Sequence, residues 1–119
     1  MIKQEIFVEY LKLNEDELWT KLGLTTPGGL GHGMLPKTPK QLIDFGKIWF
    51  QEKLPVIKKV ICNNENVIAL LQSGERIENI HLCVLISDLL LHVLEPLHLP
   101  IIAVIIAKKG FSYVCGHPA

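Results

Sequence analysis

The chain has 119 residues, 12 Lys+Arg against 12 Asp+Glu and a formal net charge of zero; 49% of it is hydrophobic, 20% is charged, and the mean hydropathy is +0.31. This composition excludes intrinsic disorder, which needs low hydrophobicity and high net charge. It also argues against a nucleic-acid partner, because no surplus of cations is available to neutralise a run of phosphates.

The length suits one domain spanning 1–119. Ile2, Ile6, Phe7, Tyr10 and Leu11 recur at spacings of three and four, which predicts a short amphipathic helix. Asn14 with Glu17 three residues on predicts an N-cap and a second helix from about Glu15 to Leu22. Gly23 reads as its stop, and residues 1–24 as a helical N-terminal arm.

Residues 25–38 hold Pro27, Gly28, Gly29, Gly31, Gly33 and Pro36, a composition that no helix or central strand tolerates. The segment reads as a flexible loop between the arm and a body at 39–119. Gly31 to Thr38 comes within one residue of the phosphate-loop pattern G-x-x-x-x-G-K-[ST], with Pro36 where the last Gly belongs. That departure removes a backbone N–H from a loop that works through backbone N–H groups, so nucleotide binding is not expected.

Thr38-Pro39 restarts helix, with Leu42, Phe45, Gly46 and Trp49 on one apolar face. Pro55 is expected to kink or restart it, and Glu65 to Gln72 reads as a further short helix. Residues 75–95 read as the central buried helix. His81, Asp88, His92 and Glu95 fall on its one narrow polar stripe. The β-branched run Ile101 to Ala107, the turn Lys108-Lys109-Gly110 and the alternation of Phe111, Tyr113 and Cys115 predict a C-terminal β-hairpin at about 101–115. The fold class expected is therefore α+β, predominantly helical, with four to six helices packed around the 75–95 helix.

Three widely spaced cysteines, Cys62, Cys83 and Cys115, form no CxxC and read as reduced thiols of a cytoplasmic protein. Between Ile80 and Ala107 the charges of Asp88 and Glu95 and two prolines interrupt the apolar stretch. A transmembrane span is not expected, although membrane-peripheral association is compatible with the pattern.

The function expected is a non-enzymatic protein–protein interaction or oligomerisation module, an adaptor or subunit of a larger complex, with a second copy or a partner protein and no cofactor. The unpaired hairpin edge would carry it, through Ile101, Val104, Phe111 and Tyr113. The alternative is a small metal- or ligand-binding protein, conceivably an enzyme, working at Asp88, His92 and Glu95. Imidazole and carboxylate suit zinc, iron or manganese, and Asp88/His92 has the i, i+4 spacing of a helical ligand pair. His81 is excluded from that group, since helix rise places it about 16 Å from His92.

Overall fold

The computed structural model describes residues 4–26, 38–73 and 78–116 of the chain. The Gly-rich segment with Gly28, Gly29, Gly31 and Gly33 lies outside the described residues, and so does its phosphate-loop likeness. Within them the order is α1 (Gln4–Leu11), α2 (Glu15–Thr25), α3 (Pro39–Ile61), α4 (Glu65–Ser73), α5 (Asn79–Leu90), α6 (Leu99–Lys109) and α7 (Phe111–Cys115).

Two helix starts follow directly from local chemistry. Asn14 Oδ1 accepts from Glu17 N at 2.8 Å, and Glu17 Oε1 accepts from Asn14 N at 3.0 Å. Thr38 and Gln41 make the same reciprocal pair at the head of α3. Each pair satisfies two donors that a helix N-terminus leaves open.

Gly23 does not stop α2, which runs on to Thr25. Its role is packing. A Cβ on Gly23 would sit 1.8 Å from the Leu42 carbonyl oxygen, and one on Gly46 2.5 Å from that of Trp19. The two glycines let the backbones of α2 and α3 approach closely. Around that crossing Leu18, Trp19, Leu22, Leu42, Trp49 and Phe50 are buried, with Trp19 edge-on to Phe50 at 5.5 Å.

Pro55 neither breaks nor restarts α3, which is continuous over 23 residues. The carbonyl it leaves without a partner belongs to Gln51, four residues back. Both residues lie on the exposed side, where that carbonyl is open to solvent.

The largest correction concerns the C-terminal third. Among the described residues there is no strand, so the fold is all-helical rather than α+β, and the hairpin at 101–115 is absent. Leu99 to Lys109 is one helix, α6, with Ile101 to Ala107 buried on every side. A short apolar run cannot by periodicity alone be told apart as a strand buried on both faces or a helix buried all round. Here the helix wins because it satisfies its own backbone hydrogen bonds inside the core, where the described residues supply no strand to pair with. Pro100 fits its first turn, Lys108 and Lys109 face its negative end, and Gly110 takes φ +89° just past it.

The central helix is therefore α6, and the expected 75–95 helix is the shorter α5, which ends at Leu90. Helices α1, α2, α5 and α7 surround α6. Phe111 and Val114 of α7 are buried at a spacing of three, as a helical turn requires and a strand forbids. Lys109 Nζ reaches Glu15 Oε1 at 2.6 Å and ties the end of α6 to the start of α2. That hydrogen bond, with a second from Trp19, holds the Glu15 carboxyl below its ordinary pKa.

The cysteines also differ from expectation. Cys62, at the end of α3, is disulfide-bonded to Cys115, at the end of α7, with Cα atoms 5.6 Å apart. Cys83 alone is free, and burial pushes its thiol up to about 12. Among the described residues no helix is long and apolar enough to cross a membrane.

Candidate ligand cleft at His98

The residues expected to act do not come together. Ile101, Val104 and Phe111 are core residues, and only Tyr113 of that set is exposed. With no strand edge among the described residues, these four do not form one. Asp88, His92 and Glu95 are all exposed. Asp88 is on α5, but His92 and Glu95 follow its end, so the i, i+4 ligand spacing on one helix is lost. Among the described residues no group of three or more His, Cys, Asp or Glu side chains could hold a metal ion.

A different site forms where three elements meet. Helix α2 ends at Thr25, α3 presents Trp49 and Lys53 one turn apart, and the turn between α5 and α6 brings Val93, Leu94, Glu95, Leu97 and His98. They line a cleft of about 440 Å³. The turn is held by its own backbone: Leu94 N donates to Leu90 O, and His98 N donates to Glu95 O, each at 3.0 Å.

His98 is the pivot. Its residue exposure is 6%, and its ring lies 4.4 Å from the Trp49 ring, tilted by 47°. Thr25 Oγ1 lies 3.0 Å from His98 Nδ1. The hydroxyl has one proton, which it donates to Leu22 O at 2.8 Å. It therefore accepts from Nδ1–H, which assigns the tautomer: Nδ1 carries the proton and Nε2 the lone pair.

Nε2 stands 4.0 Å from Glu95 Oε2, beyond hydrogen-bond distance. No buried side-chain nitrogen or oxygen among the described residues lacks a partner, so the Nε2 of His98, which lines the cleft, is not fully closed off. Burial, with the Lys53 charge adding to it, lowers the His98 pKa, while Glu95 acts in the opposite sense. The imidazole is thus neutral at pH 7. Lys53 Nζ lies 5.8 Å from the Trp49 ring centroid.

The cleft can recognise but is poorly arranged to react. Thr25 is not an activated nucleophile, because His98 donates to its oxygen instead of withdrawing its proton. What remains is a hydrogen-bond acceptor, a cation, a carboxylate and apolar walls. Of the residues singled out from sequence, only Glu95 belongs to it. Trp49 was assigned to a buried helix face, and nothing marked Thr25 or His98 as a pair.

No protein-family model, curated protein or solved structure matches the chain.

Proposed function

We propose that this chain is a non-enzymatic binding module that takes a small ligand in the His98 cleft. The observation that carries this reading is His98 itself, a buried imidazole whose orientation is set by Thr25 and whose free Nε2 opens on a concave, largely apolar site. Ligand sites combine such apolar walls with a few placed polar groups. A fragment screen by NMR on the labelled full chain tests it. Bound fragments are expected to shift the Thr25, Trp49 and His98 signals together. Fragments that all bind elsewhere, or none binding at millimolar concentration, would overturn it.

A second reading, self-association, rests on the cleft's outer edge. Leu91, Val93 and Leu97 are exposed large apolar side chains within seven residues, Leu97 at 57%. With zero formal net charge, no net repulsion keeps two copies apart. The occupant of this edge is then a second copy of the chain. Sedimentation at high micromolar concentration is expected to show a dimer that Leu97→Asp dissociates; a monomer there removes the reading.

The Cys62–Cys115 bond bears on the compartment. Persistent disulfides belong to oxidising compartments, so a cytoplasmic location requires the Cys62–Cys115 pair to be held reduced. Alkylation during denaturing lysis, followed by a count of labelled thiols, decides: one labelled cysteine, Cys83, rejects the cytoplasm, three support it.

A further inference from the structure

The polar groups of the cleft are two opposite charges and one neutral acceptor. Lys53 supplies the positive charge, Glu95 the negative one, and His98 Nε2 the lone pair. Lys53 has the Trp49 ring beside its ammonium and, among the described residues, no carboxylate within ion-pair distance. Among the described residues Glu95 has as its partner the His98 imidazole, at 4.0 Å. Among the described residues no ion pair joins the two, and both line one cleft, Glu95 with a side chain 80% exposed.

We infer that the cleft takes a free α-amino acid with an apolar side chain, bound as its zwitterion. The inference rests on the reading of the cleft as a ligand site and names the chemistry of the ligand. A simple anion would meet Lys53 favourably but Glu95 unfavourably, and a simple cation would face the reverse. A purely apolar molecule would cover the polar groups without pairing them, which costs more than it gains. A zwitterion pairs both.

The donor geometry agrees. One ammonium nitrogen at about 2.8 Å from each of two acceptors can bridge Glu95 Oε2 and His98 Nε2, which are 4.0 Å apart. The carboxyl end of α2 also reaches the cleft at Thr25, and a helix C-terminus carries partial negative charge that favours an ammonium. The ligand carboxylate then goes to Lys53. Its side chain lies against Val93, Leu97 and Trp49. A cleft of about 440 Å³ is in the range of small-molecule sites and has room for a leucine-sized molecule.

Calorimetric or NMR titration of the full chain tests this with three probes: L-leucine, N-acetyl-leucine, which lacks the ammonium, and leucinamide, which lacks the carboxylate. L-leucine is expected to bind at the Trp49 and His98 signals, and each blocked form to bind at least about tenfold more weakly, since each loses one charge-assisted contact. Two variants locate the ends. Lys53→Met should abolish the preference for L-leucine over leucinamide, and Glu95→Gln the preference over N-acetyl-leucine. Both residues lie outside the core, and a melting curve confirms that each variant folds. Equal binding of all three probes overturns the zwitterion and leaves the cleft as a ligand site. No leucine binding while other fragments occupy the cleft overturns the amino-acid class alone. No occupant of any kind overturns both readings. Preferences that survive both variants overturn the assignment of Lys53 and Glu95.

Discussion

Thr25 Oγ1 and His98 Nδ1, 73 residues apart in sequence, meet at 3.0 Å. The contact joins the last turn of α2 to the first residue before α6. It orients the imidazole, assigns its proton and leaves Nε2 for the cleft. Replacing Thr25 by Val keeps the shape but removes the acceptor, leaving a buried N–H unpaired. The expected cost is about 1–3 kcal/mol, read as a lower urea midpoint at unchanged slope. The His98 ring is also expected to lose its single tautomer in the nitrogen NMR spectrum. A variant as stable as the parent with an unchanged spectrum contradicts the assignment.

The glycines at the α2–α3 crossing make a prediction of sign. On an open helix, Gly→Ala stabilises by about 1 kcal/mol. Gly23→Ala and Gly46→Ala should do the opposite, because the new methyl would meet backbone oxygen at 1.8 Å and 2.5 Å. Overpacking of this kind costs about 3 kcal/mol or more when the obstacle is main chain. Thermal melts decide, and Gly23→Ala should be the worse of the two.

The same region shows what was legible in the sequence. Asn14 with Glu17, and Thr38 with Pro39, marked both caps because capping is local chemistry within four residues. The apolar face of α3 was legible in large part: of Leu42, Phe45, Gly46 and Trp49, all but the half-buried Phe45 are buried. Gly23 was misread because a helix stop and a close crossing demand the same residue, and only the partner helix distinguishes them. Residues 101–107 were misread because a helix buried all round shows no polar face, so it has no period to detect. Lys108-Lys109-Gly110 was recognised as a chain reversal, but basic residues followed by Gly also end helices. The cleft was almost invisible. His98, Thr25 and Trp49 come from three separate elements, and no spacing rule connects them.

The Cys62–Cys115 bond joins residues 53 apart in sequence. In the chain-entropy account a loop of that length contributes about 4 kcal/mol. Reduction, or Cys62→Ser, should lower stability by roughly that amount, and Cys62→Ser should be insensitive to reductant. Cys83 serves as the internal control. Buried, with its thiol pushed up to about 12, it should resist alkylation in the folded chain and react only after unfolding. Equal urea midpoints with and without reductant would contradict the bond.

His98 makes stability depend on pH in a definite direction. Its pKa in the folded chain lies below the ordinary value of 6.5, through burial and then Lys53, with Glu95 opposing. Below 6.5 the unfolded chain therefore binds the proton more readily than the folded one. The His98 contribution is complete above the unfolded value and is lost as pH falls through the depressed folded value. Urea midpoints between pH 7.5 and 5 should fall more steeply for the parent than for His98→Gln. Parallel curves would show that the ring is not buried neutral.

The most direct test of the account is a long-range proton–nitrogen NMR spectrum of the His98 ring at pH 7, recorded without and with L-leucine. The account predicts a neutral ring protonated at Nδ1, with an Nε2 signal that moves when leucine is added. A ring protonated at Nε2, an imidazolium, or an Nε2 signal indifferent to leucine would contradict it.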